Sequence, residues 1–253
     1  MGSFLDRLVH TTALRRWRRD TALADRTPLH RLRSQRNQAR KLRQHLSELI
    51  HRADGKLAMP HIGSDRFSRP HGTDWSWRPE PWRGPLPVAG VAAVPSKARL
   101  GHEVQLFHDC RISELTLRQL RNTREEDLAP FGLRMDVFQF DGSFLSLVLD
   151  LPSAALEGLG RQHVIRVDAI VERERPLEIF ARLNLQHGPN TVQIVQELPQ
   201  SQTSVSAEFD LAHSDMNEKR LEKAWVDLIF EAPDMNQVII RDITFARYLR
   251  ATF

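Results

Sequence analysis

From about residue 100 onward, apolar and polar positions alternate with a period of two. The runs HEVQLFHDC, SELTLRQL, GLRMDVFQF, SFLSLVLDL, HVIRVDAIVE, PLEIFARLNL, TVQIVQEL, TSVSAEFDL, WVDLIFEA and NQVIIRDITFAR all show it, and such alternation predicts half-buried β-strands, about ten of them here. Turn-forming stretches separate many of the runs: FDGSF, LPSAALEGLG, QHGPNT, LPQSQT and APDMNQ. Only DMNEKRLEKA interrupts with a pattern that suits one or two helical turns. Short antiparallel strands at this spacing predict a mainly β fold, an antiparallel β-sandwich of jelly-roll type over residues 99–253.

Three strands carry more than their existence. In SFLSLVLDL, Leu145, Leu147, Leu149 and Leu151 make one face, and Phe144 and Val148 lie on the other. AWVDLIFEA also bears large apolar groups on both faces, Trp225 among them. A strand apolar on both faces is expected to be covered on both, so Trp225 reads as buried. PLEIFARLNLQ differs: Leu177, Ile179, Ala181, Leu183 and Leu185 share one face, while Glu178, Arg182, Asn184 and Gln186 dominate the other. That polar face, with His187 and Asn190 in the adjoining HGPN loop, is the candidate ligand-binding surface, because planar amides and a guanidinium suit sugar hydroxyls. The same residues also suit an ordinary solvated sheet.

Upstream the period changes to that of a helix. Residues 3–19 predict a short helix with Phe4, Leu5, Leu8, Val9 and Thr12 on one face, whereas Arg15, Arg16, Arg18 and Arg19 surround the axis. A second helix is expected after Thr27 as N-cap and Pro28 as first residue, ending near Gly55 and blocked by Pro60. Leu32, Gln35, Ala39, Leu42, Leu46, Leu49 and Ala53 form a narrow 3-4 seam, with Arg33, Arg36, Arg40 and Arg43 opposite. Such a seam fits packing along the rest of the chain, pairing of two copies as a homodimer, or a surface contact.

Residues 60–98 concentrate prolines and three of the five tryptophans, Trp75, Trp77 and Trp82. Proline density opposes regular structure, while the indoles are costly to leave in water. An ordered strap between a basic helical arm (1–59) and the sandwich is expected, its tryptophans acting as core anchors or as stacking platforms.

Charge sharpens the division. Residues 1–56 hold 14 Lys and Arg against 5 Asp and Glu, a net of +9; the remainder holds 22 against 27, a net of −5. Arg15, Arg16, Arg18 and Arg19 are therefore expected to contact an anionic surface, either a membrane or a nucleic acid. No apolar run reaches the roughly 18 residues of a membrane span, and MGSFLDRLVHTTALRRWRRD lacks the apolar core of a secretory signal. The expected location is cytoplasmic, with the arm allowing a position peripheral to the membrane.

Catalytic signatures are sparse. The single cysteine lies in LFHDC, where His108 and Cys110 would share one strand face and Asp109 the other. Asp109 cannot then orient that histidine, and the expected role is structural. The eleven histidines show no metal-ligand spacing, and neither FDGS nor HSDMNE holds a full calcium register. No phosphate-binding glycine loop is present. No catalytic residue, metal or cofactor is assigned. A paired-carboxylate carbohydrate hydrolase remains the enzyme-class alternative, since such pairs leave no local pattern.

The stretches LFHDCRISELTLRQLRN, DLAPFGLRMDVFQFDGSFLSLVLDLP, IFARLNLQHGPNT and WVDLIFEAPDMNQVIIRDITFAR resemble an uncharacterised family of alphaproteobacterial proteins, chiefly from the Rhodobacter–Roseobacter group. The resemblance extends over the ARKLRQHL helix and the DWSWRPEPWRGP strap, and it implies no activity and no catalytic residues. The strand order also resembles carbohydrate-binding jelly rolls, an analogy of fold. The expected function is non-catalytic binding, with a glycan or glycan-linked component as candidate ligand; the alternative is an assembly protein that dimerises through the heptad helix.

Overall fold

The computed structural model describes residues 4–58, 67–124 and 126–250. The chain divides into two compact units, Met1–Ile50 and His51–Phe253.

The first unit is a helical hairpin. Helix α1 (Phe4–Ala22) is followed by a single 3-10 turn (Ala24–Arg26), and α2 begins at Leu29 and runs to Ala58. Arg16 donates to Gln38 at 3.2 Å; the two lie eleven residues either side of Thr27, as antiparallel helices require. Pro28 opens α2, its carbonyl accepting from the amides of Arg31 and Leu32 at 3.0 Å. Thr27 is extended, but its hydroxyl donates back to Leu23 O at 2.9 Å, fastening the turn to α1. The helix also passes through Gly55, three residues beyond the expected stop.

The second unit is a sandwich of two antiparallel sheets, and each of the ten alternating runs is a strand. These are β4 (Val104–His108), β5 (Leu115–Arg121), β6 (Phe131–Val137), β7 (Leu145–Asp150), β8 (His163–Arg173), β9 (Ile179–His187), β10 (Asn190–Leu198), β11 (Ser204–Asp210), β12 (Leu221–Phe230) and β13 (Asn236–Leu249). Three short strands precede them: β1 (Thr73–Trp77), β2 (Gly90–Ala92) and β3 (Ala98–Leu100). One sheet runs β11-β8-β13-β6-β5-β2, with β1 added against β13; the other runs β10-β9-β12-β7-β4-β3. The pairs β6·β13, β7·β12, β8·β11 and β9·β10 are those of one long hairpin folded over itself, the winding of a jelly roll.

Alternation decides what lies between the sheets. Leu145, Leu147 and Leu149 of β7, Ala181, Leu183 and Leu185 of β9, and Val226, Leu228 and Phe230 of β12 meet Val167, Val205, Phe209, Phe245 and their neighbours in one core. In β13 the inward phase slips from Val238 and Ile240 to Ile243 and Phe245. The register shift between Ile240 and Asp242 is a β-bulge, one extra residue that resets the alternation. The expected helical turns at 215–224 reduce to a 3-10 turn, Glu218–Arg220, before β12 begins.

The strap is more regular than its prolines suggest. It supplies β1, a one-turn helix α3 (Glu80–Arg83) and β2, because prolines stand at the ends of these pieces rather than inside the strands. Trp75 and Trp77 stack at 6.4 Å, and Trp77 leans on Phe245 at 5.3 Å. Trp82 is fully buried and its Nε1–H donates to Ile240 O at 2.9 Å. Arg78, also buried, donates from Nε and Nη2 to the two carboxylate oxygens of Asp242 at 2.8 and 2.7 Å. These side chains anchor the strap to the β13 sheet.

Candidate functional site

The outer face of the β10-β9-β12-β7-β4-β3 sheet holds a groove of about 380 Å³. Strand register lays its side chains in cross-strand rows. Gln105 of β4 stands opposite Val148 of β7, which pairs with Asp227 of β12, which pairs with Arg182 of β9. In the next row Asp150, Trp225, Asn184 and Gln193 follow one another across β7, β12, β9 and β10. Phe107 faces Ser146 in the row on the other side, and Phe144 adds a ring that is 43% exposed.

A polar network underlies the middle of this surface. Asp227 is 3% exposed, and its Oδ2 accepts from Arg182 Nε and Nη2 at 2.9 and 2.7 Å and from Asn184 Nδ2 at 3.0 Å. Asn184, fully buried, accepts in turn from Gln193 Nε2 at 2.9 Å. Beside the network Lys223 pairs with Asp150 at 2.7 Å, and its ammonium stands 5.3 Å from the centre of the Trp225 ring. Both groove carboxylates are thus matched by a cation. One group is not matched: Ser146 is 6% exposed, and among the described residues its buried Oγ has no hydrogen-bond partner. A buried hydroxyl left in that state costs about 1–3 kcal/mol.

The residues singled out from sequence fall into separate places. Arg182 lines the groove, Asn184 supports it from beneath, and Gln186 lies one row further along the same face, paired with Lys223 and Thr191. Glu178 is exposed beyond the opposite end of β9. His187 and Asn190 line a different depression, about 640 Å³, with Asp210 and His213. In the hairpin, Arg16 and Arg19 line a cleft of about 620 Å³ with Arg26 and Arg31; Arg15 and Arg18 are exposed outside it.

Trp225 is the groove residue that sequence reasoning missed. Both phases of AWVDLIFEA are apolar, which suggested cover on both sides. The structure turns Ala224, Val226, Leu228 and Phe230 inward and leaves Trp225 and Ile229 half-buried on the outer face. The usable signal was Asp227 between them, since a carboxylate on the same phase marks that phase as outward.

The LFHDC segment is tied into loops. His108 is buried, with Nε2 2.8 Å from Val94 O and Nδ1 accepting from the Cys110 amide at 3.2 Å. Asp109 accepts from the Ser143 amide and hydroxyl at 2.7 and 2.6 Å, and the Ser143 hydroxyl leads in holding its carboxyl below the usual aspartate range. Burial pushes the Cys110 thiol up, away from the thiolate that nucleophilic attack requires. Among the described residues no group of three or more His, Cys, Asp and Glu is placed to hold a metal ion, and no helix is long and apolar enough to cross a membrane.

The model of a family of unknown function, DUF6478, matches residues 1–253, and the chain belongs to that family. No curated protein matches the chain. Among solved structures, the family 11 carbohydrate-binding module of Clostridium thermocellum, complexed with a β-1,3-1,4-mixed-linked tetrasaccharide, aligns at TM-score 0.37 and 8% identity over 65% of this chain and 99% of that one. The C-terminal family 22 carbohydrate-binding module of Clostridium thermocellum Xyn10B aligns at 0.37 and 10% over 74% and 99%. Tailspike protein 4 of bacteriophage CBA120 aligns at 0.40 and 9% over 58% of this chain but only 19% of its own. Likenesses this distant assign neither ligand nor site.

Proposed function

We propose, for this member of a family without assigned activity, that the sandwich is a non-catalytic glycan-binding module whose ligand lies in the groove over β4, β7, β12 and β9. The observation that carries the reading is the composition of that groove: a half-buried indole, Trp225, beside a fixed set of planar hydrogen-bonding groups. A sugar ring presents an apolar C–H face that stacks on an aromatic ring, and an edge of hydroxyls that both donate and accept. Trp225 meets the first need. Arg182 and Gln105 line the groove and meet the second, with Arg182 held by Asp227, which Asn184 also bonds, rather than by solvent.

The charge balance favours a neutral ligand. Arg182 is matched by Asp227 and Lys223 by Asp150, so the groove offers no surplus charge to a uronate or phosphate.

A glycan array probed with full-length protein and with Trp225→Ala tests the proposal. The expected result is retention of neutral oligosaccharides by the native chain and their loss in the variant, with an unchanged far-ultraviolet circular dichroism spectrum. Equal retention by both proteins would contradict it.

A further inference from the structure

The helical hairpin has a surface without a matching interior. Among residues 9–50 whose burial is described, none is buried, although Val9, Leu14, Leu23, Leu29, Leu42, Leu46 and Leu49 are all present. Leu42, Leu46 and Leu49 fall within one stripe of α2 at 39%, 47% and 62% exposure. Helices hold together chiefly by burying such a stripe, so this one requires a partner surface.

Charge states what kind. Residues 1–50 carry 12 Lys and Arg against 4 Asp and Glu, a net of +8. On the α2 wheel the leucine stripe is bordered on one side by Arg36 and Arg43 and on the other by Lys41, while Arg31 continues the line of Leu49 toward the turn; all four basic residues are exposed. A second copy is a poor match. With Leu32 and Leu46 at a positions, parallel pairing would set Arg31 of one chain against Arg36 of the other, and antiparallel pairing would bring the Arg36 and Arg43 columns together. Nucleic acid would use the arginines and leave the leucines in water.

We infer that the hairpin lies in the interface of an anionic lipid bilayer, with the Leu42, Leu46 and Leu49 stripe entering the acyl boundary and the flanking basic residues meeting lipid phosphates. A helix with an apolar stripe bordered by Lys and Arg gains from both contributions. The cleft near the turn, where Arg16, Arg19 and Arg26 converge with Arg31, places three more guanidinium groups at headgroup level. This inference is independent of the sheet groove.

Co-sedimentation of full-length protein with vesicles tests it. Vesicles of phosphatidylglycerol and phosphatidylcholine should retain the protein, and pure phosphatidylcholine should not. Leu42→Gln with Leu46→Gln and Leu49→Gln should weaken retention by roughly tenfold or more, and Arg36→Gln with Arg43→Gln by roughly thirtyfold. Circular dichroism at 222 nm confirms that both variants keep the helix. Retention unaffected by the leucine changes would overturn the inference, as would binding of a 20-base-pair DNA duplex without vesicle binding. A concentration-dependent dimer that ignores vesicles would overturn it equally.

Discussion

Arg182 donates twice to a single oxygen of Asp227, from Nε at 2.9 Å and from Nη2 at 2.7 Å. The pair ties β9 to β12 at the point where the groove crosses them, and Asn184 closes on the same oxygen. Binding and stability therefore overlap at these residues, and a substitution there affects both.

Arg182→Ala is expected to lower the free energy of unfolding by about 2 kcal/mol, below the ~3–5 kcal/mol of a fully buried pair because the guanidinium is partly solvated. The double change Arg182→Leu with Asp227→Leu should cost less than Arg182→Ala alone, since it removes the stranded carboxylate. Urea unfolding of both variants measures the difference. A smaller loss in Arg182→Ala than in the double variant would place the stabilisation elsewhere.

Ser146→Ala should separate the two roles. Removing a buried hydroxyl that has no partner leaves stability unchanged or raises it by up to about 1 kcal/mol. Glycan affinity should stay unchanged, because the hydroxyl is closed off from the groove. Thermal unfolding and calorimetric titration on the same preparation check both outcomes, and a fall in affinity would contradict the closed floor.

Trp82→Phe keeps most of a buried ring but removes the donor to Ile240 O. The expected cost is about 1–2 kcal/mol, appearing in the main unfolding transition because the strap is anchored in the sandwich core. A separate early transition for the strap would argue against that anchoring.

Acid sensitivity follows from Glu172. Burial raises its carboxyl, but Arg241 and Arg124 outweigh that and hold it below its ordinary value of 4.5. A carboxylate with a depressed folded pKa stabilises the fold above its unfolded pKa and loses that contribution as pH falls through the folded value. Glu172→Gln should therefore be less stable than the native chain at pH 7 and lose less on descending below pH 4.5. Urea midpoints measured from pH 7 down to pH 3 would show converging curves; parallel curves would exclude the linkage.

The strands were legible because alternation reports burial on one face, and all ten runs kept their identity. The polar phase of β9 was legible for the same reason, and Arg182 and Asn184 stand on it. Alternation does not distinguish a core face from a groove floor, since both collect large apolar residues. Trp225 reads as buried on that account. Nor does local sequence show which strand lies alongside. Asp227 is recognisable as the partner of Arg182 only once β12 is set beside β9, and His187 and Asn190 part from Arg182 only through the course of the strands. The strap's β1 and β2 escaped notice because its prolines outweighed two short runs whose stability comes from pairing with β13 and β5.

Titration of the five indole N–H resonances of full-length, nitrogen-15-labelled protein with an oligosaccharide selected on the array bears most directly on the groove. Trp225→Phe assigns the signal that matters. Selective movement of the Trp225 indole, with those of Trp75, Trp77 and Trp82 unmoved, is the predicted result. Movement of the Trp75 and Trp77 indoles with a stationary Trp225 would put the ligand on the strap instead and contradict the assignment of the groove.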